Sequence, residues 1–149
     1  MPKPSLFMDS SALFAGVVSA DGASRALLLL AESGLIAITV SEQVVAETER
    51  ALARKVPRAL PLYREALRAT GLRIVQGPLP EEVANSVGLV THRADIPIVL
   101  AAVHAHVDAF VTLDRRHLVD DQGVSARSGL RIGTPGSILS WVRERLAGV

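Results

Sequence analysis

The sequence contains no cysteine, which excludes disulfides and thiolate metal sites and fits a reducing, cytoplasmic setting. Aromatic residues are scarce at 3%, so the core has to be built from Leu, Val, Ile and Ala, as in a sheet covered by helices. No stretch approaches ~18 apolar residues free of charge, so no membrane span is expected. The apolar run near the N-terminus, Ser5–Met8, is too short for a signal peptide. Large charge of either sign is also missing: the formal net charge is +1, which by itself argues neither for nor against a nucleic-acid partner. There is no internal repeat, linker or low-complexity segment.

What is present fits one domain over residues 1–149, long enough to bury most of its apolar surface. Apolar, β-branched runs at Ser5–Met8, Leu35–Val40, Leu72–Val75, Ala109–Leu113 and Leu130–Ile132 read as strands. Between them the pattern predicts helices over Ser24–Ser33, from Ser41 to Lys55, Ala59–Thr70, Pro80–Val90, from Asp95 through His106, and Gly136–Leu146 after Thr134-Pro135. Gly16–Gly22 and Arg115–Leu118 read as turns, and Asp120–Gly129 as a loop. Alternating strands and helices imply an α/β fold, a three-layer α/β/α sandwich on a mainly parallel sheet.

Four acids occupy unusual positions in this pattern. Asp9 and Asp114 each close an apolar strand, where the carboxyl edge of an open α/β sheet binds ligands. Asp95 precedes Pro97 at a helix start and shares a face with Val99, Ala102, Val103 and His106. Glu47 lies at the edge of the stripe formed by Val44, Val45, Thr48, Ala51 and Leu52, whereas Glu42 and Glu49 project away from it. Taken singly, Asp9 is explained by helix capping and Glu47 by an ion pair to Arg50 or Arg54. Taken together, the four are hard oxygen ligands suited to Mg²⁺ or Mn²⁺, the ions that assist phosphodiester cleavage.

The basic residues are unevenly spread. Arg50, Arg54, Lys55, Arg58, Arg64, Arg68 and Arg73 face a single acid, Glu65, in the same interval. Such a block tracks a polyanion or is simply a solvated helix face, and composition leaves both open.

Four motifs resemble those of the PIN-domain ribonucleases, the family that includes VapC-like toxins of toxin–antitoxin pairs. FMDSSAL resembles the opening motif at Asp9, Ser10 and Ser11, and SEQVVAETERAL resembles the second at Glu47. ADIPIVLAA resembles the third at Asp95, and VTLDRRHL the fourth at Thr112 and Asp114. The likeness covers essentially the whole chain and is nearest to the subgroup of toxin components.

The resemblance implies a metal-dependent endoribonuclease with Asp9, Glu47, Asp95 and Asp114 as metal-binding, catalytic acids. It implies that Ser10, Ser11 and Thr112 support those carboxylates. Arg50, Arg54, Lys55, Arg58, Arg115 and Arg116 become an RNA path. An antitoxin protein and a homodimer are expected partners, and the mean hydropathy of +0.33 also favours self-association. A free-standing RNA-processing nuclease and a non-catalytic metal- or RNA-binding PIN module are the alternatives.

Two departures stand out. Ser11 replaces the commoner Asn, and His117 stands where some relatives carry a further acid. His117 reads as a surface histidine, with a phosphate or leaving-group contact as the alternative. His104 and His106 are two apart, so they read as structural residues. An aspartyl-phosphate phosphatase fits poorly because Asp9-Ser10-Ser11 lacks the second acid of Asp-x-Asp. A receiver domain fits poorly because no lysine follows Lys55.

Overall fold

The computed structural model describes residues 2–148. Five strands, β1 (Ser5–Met8), β2 (Ala37–Ser41), β3 (Arg73–Val75), β4 (Ala109–Val111) and β5 (Arg131–Gly133), form one all-parallel sheet in the order β3-β2-β1-β4-β5. The central pair β1 and β4 is covered on both faces, and Leu6, Phe7, Met8, Ala109, Phe110 and Val111 are fully buried. That is why these strands read as continuous apolar runs instead of alternating ones. Two of the three phenylalanines meet here: Phe7 and Phe110 are register partners whose rings stack at 5.5 Å between centroids.

Helices α1 (Ser10–Val18), α2 (Ala23–Glu32), α3 (Glu42–Lys55) and α4 (Leu60–Ala69) fill the first two crossovers. Helices α5 (Pro80–Ala84) and α6 (Ile96–His104) join β3 to β4, α7 (Gln122–Ser128) joins β4 to β5, and α8 (Pro135–Leu146) closes the chain. Helix α1 packs against α2, α3 and α4, and α8 packs on α2; α6 instead packs against α5 and α7. Two separate helical layers therefore enclose the sheet, the three-layer α/β/α arrangement expected from the sequence. Among the described residues no single helix is long and apolar enough to cross a membrane.

Several boundaries differ from the sequence reading, each for a physical reason. The turn expected at Gly16 is helical, because α2 crosses α1 there. A Cβ on Gly16 would lie 2.7 Å from Leu28 Cδ1, so glycine serves close packing at this position. Arg25 then donates to the Gly16 and Val17 carbonyls at the end of α1. Helix α5 stops at Ala84 and not near Val90, since Asn85, Ser86 and Gly88 break it and Gly88 adopts φ 98°. The loop expected over Asp120–Gly129 contains α7. Asp121 caps it by accepting from the Gly123 N–H at 3.0 Å, and Gly129 ends it in the left-handed region at φ 74°. Helix α6 ends at His104, so His106 leaves the predicted face and sits exposed at φ 55°.

Candidate metal centre

The strand order changes direction between β1 and β4: one crossover leaves β1 for β2, while β4 arrives on its other side. The crevice outside the carboxyl ends of two such strands is the usual ligand site of an open α/β sheet. Met8 pairs with Val111 in register, so the residues that leave the two strands, Asp9 and Thr112, lie side by side at this crevice.

Asp9 is the N-cap of α1 and 8% exposed. Its Oδ1 accepts from Ser11 Oγ at 2.6 Å and from the Ala12 N–H at 3.0 Å, and its Oδ2 accepts from the Thr112 hydroxyl. Burial raises the Asp9 pKa above the ordinary carboxylate value, and the Ser11, Thr112 and Ala12 hydrogen bonds oppose that rise. The nearby Asp114 charge adds to it. Asp9 therefore caps α1 near Asp114 with both oxygens taken by hydrogen bonds, and it lies outside the group of Asp95, Asp114 and His117 described below.

Ser11 and Thr112 also hold the opposite wall. Ser11 Oγ accepts the Leu113 N–H at 3.0 Å, and Thr112 Oγ1 accepts the Asp114 N–H at 2.9 Å. Ser11 thus links the end of β1 to the segment that leaves β4.

Asp114 begins a single π-helical turn, Arg115–Val119, in which the Val119 N–H reaches the Asp114 carbonyl and the Asp120 N–H reaches Arg115. This corrects the simple turn expected from sequence. The wider turn brings His117 back over Asp114. The His117 backbone N–H donates to Asp114 Oδ1 at 3.0 Å, and its ring Nδ1 lies 3.2 Å from Asp114 Oδ2. The His117 ring stacks on His92 at 4.7 Å between centroids, 19° from parallel.

Asp95 ends the 3₁₀ turn Arg93–Asp95 that leads into α6. Its Oδ2 is buried and has no hydrogen-bond partner. Burial raises its pKa; the neighbouring His92 and His117 lower it, while Asp114 and Asp9 raise it. One ligand atom each from Asp95, Asp114 and His117 lie within 4.8 Å of one another.

The remaining sequence candidates occupy different ground. Glu47 is half-buried in the second turn of α3, with Oε1 accepting from Ser10 Oγ and Oε2 from Gln43 Nε2, each at 3.1 Å. Among the described residues it forms no ion pair, and it is not within the 4.8 Å group. Together with Ser10, Ser11, Phe14, Lys55 and Leu113 it lines an adjoining cavity of about 500 Å³. Arg50, Arg54, Lys55 and Arg58 are exposed on and just beyond α3, and Arg115 and Arg116 are exposed on the π turn. The Lys55 ammonium lies over the Phe14 ring, 5.7 Å from its centroid. His117 is the residue the sequence reading placed on the surface and the fold brings into the cluster. Its spacing of three from Asp114 was the available signal.

No protein-family model and no curated protein matches the sequence. The chain is similar to the crystal structure of PAE2754 from Pyrobaculum aerophilum, with a TM-score of 0.63 and 19% identity over 98% of this chain and 91% of that one. A likeness at that identity establishes the fold, a five-stranded parallel sheet between two helical layers.

Proposed function

We propose that this protein is a metal-dependent endoribonuclease of the PIN type, working with Mg²⁺ or Mn²⁺ and acting as the toxin of a toxin–antitoxin pair. The observation that carries the reading is the grouping of Asp95, Asp114 and His117 at the strand-order switch, in which Asp95 also holds a buried carboxylate oxygen, Oδ2, without a partner. An anionic oxygen in that setting is costly unless a cation or a proton accompanies it. The donors are mostly hard carboxylate oxygens, which fit a Mg²⁺- or Mn²⁺-sized ion.

Asp95 and Asp114 would hold the ion, with Asp9 beside them. A bound divalent ion supplies an activated water and neutralises charge building on the phosphate. The chain's own groups arrange the rest. Ser11, Thr112 and the Ala12 N–H keep the Asp9 carboxylate from rotating. Ser10 and Gln43 fix Glu47 at the rim of the adjoining cavity, where its carboxylate would orient water. Lys55 and the exposed Arg50, Arg54 and Arg58 give an RNA backbone a cationic path leading to that rim.

The test is cleavage of a labelled RNA by purified protein stripped of metal. Added Mg²⁺ or Mn²⁺ should restore cleavage, EDTA should abolish it, and Asp95→Asn and Asp114→Asn should each lower it at least ~100-fold while the fold persists. Cleavage indifferent to chelation overturns the reading. Co-expression with the product of an adjacent gene separates a toxin, which should be inhibited, from a free-standing processing nuclease. Light scattering tests the expected homodimer.

A further inference from the structure

We infer that His117 is a nitrogen ligand of this centre, so that the site prefers a first-row transition-metal divalent ion to Mg²⁺. The inference rests on the metal-centre reading above and names the class of ion it takes.

Geometry is the first ground. Two neighbouring ligands of an octahedral ion with bonds of ~2.1 Å lie about 3.0 Å apart, and opposite ligands about 4.2 Å apart. His117 Nδ1 is 3.2 Å from Asp114 Oδ2, and an Asp95 oxygen completes the set within 4.8 Å. The imidazole–carboxylate separation matches that of neighbouring ligands on one small ion, and the Asp95 oxygen is near enough to close on the same ion with a small movement.

Orientation is the second ground. The ring is held from two sides: the π turn anchors the His117 backbone N–H on Asp114 Oδ1, and the His92 ring stacks on the His117 face. His92 adjoins the short turn that carries Asp95, so one stack ties both walls of the crevice together. A π turn is an uncommon device that recurs at functional sites, and here it is what brings position 117 to the carboxylates.

Chemistry supplies the selectivity. Mg²⁺ strongly favours oxygen and keeps much of its water, whereas imidazole suits the borderline ions of the first transition row. For a mixed nitrogen and oxygen site, affinity rises from Mn²⁺ to Co²⁺ along the Irving–Williams order. The competing account is that His117 only braces Asp114 by donating from Nδ1.

The variant His117→Asn separates the two accounts, because its amide can still donate to Asp114 but carries no imidazole nitrogen. Calorimetric titration of the metal-free full chain with Mg²⁺, Mn²⁺ and Co²⁺ should show Co²⁺ tightest and Mg²⁺ weakest, at least ~10-fold apart. In His117→Asn that ratio should shrink at least ~10-fold. Pulsed electron paramagnetic resonance of the Mn²⁺-loaded wild type should show coupling to ¹⁴N, absent in the variant. Mn²⁺ bound without nitrogen coupling in the wild type, or an unchanged Co²⁺/Mg²⁺ ratio in the variant, overturns the nitrogen ligand and leaves the ribonuclease reading intact. Absence of any divalent-ion binding overturns both.

Discussion

Thr112 and Asp9 are joined across the central strand pair: the threonine hydroxyl donates to Asp9 Oδ2 and itself accepts the Asp114 N–H. One fully buried hydroxyl therefore connects both strand-end acids. Thr112→Val keeps the shape and removes the donor, leaving a buried carboxylate oxygen and an amide N–H short of a partner. Stability should fall by about 1–3 kcal/mol, and Thr112→Ser should recover most of it. Urea unfolding of the three proteins measures this, and equal midpoints would count against the bridge.

Burial of Asp95 gives the metal-free protein a distinctive pH dependence. Asp95 has its pKa raised above 3.8, chiefly by burial. A raised folded-state value means that the folded chain binds the proton more tightly than the unfolded chain does. That contribution is complete below 3.8 and is lost as pH rises through the raised value. Asp95→Asn should therefore raise the Tm of the EDTA-treated protein at pH 7, with the gain shrinking as the pH is lowered toward 4. A lower Tm for the variant at pH 7 would sink this account.

The basic block can be separated from a merely solvated face by its salt response. Arg54→Glu and Arg58→Glu should weaken RNA binding and reduce the slope of log K against log salt. The reduction should be about 0.7 for each single-strand phosphate that the variant no longer neutralises. An unchanged slope assigns these arginines to the solvated surface.

Tyr63 is the single tyrosine, so its ionisation can be followed by absorbance without interference. Its side chain is fully buried under α3, with the hydroxyl donating to the Val45 carbonyl at 3.4 Å. Burial, with a smaller contribution from the Glu49 charge, pushes its pKa up to about 12. The tyrosinate band should emerge near 12 in the folded protein and near ~10 in urea. The stability tied to the neutral phenol is full below ~10 and is lost as pH rises through about 12. Titration near ~10 in both conditions would contradict the packing of α4 on α3.

Much of this architecture was legible in the order of residues. The runs at Ser5–Met8 and Ala109–Val111 are apolar at nearly every position because both faces of their strands are covered, and that pattern survives without coordinates. Asp9, Ser41 and Thr134 mark helix starts by local hydrogen bonding alone. Short elements were harder to read. Helix α7 has seven residues, including Gly123 and two serines, and its existence rests on the Asp121 and Gly129 caps more than on periodicity.

What only the tertiary structure decided is which acids meet. Asp95 and Asp114 are brought together because α6 begins, and β4 ends, at the same edge of the sheet, with β4 lying beside β1 and not beside β3. Glu47 was equally conspicuous in sequence, yet its contacts are Ser10 and Gln43 and its outlook is the adjoining cavity. His117 enters the centre through a turn five residues wide, held by hydrogen bonds from Val119 and Asp120. Apolar periodicity encodes burial, a property each segment carries in its own side chains. The convergence of carboxylates and an imidazole depends on strand order and turn width, which are settled by contacts between segments far apart in the chain.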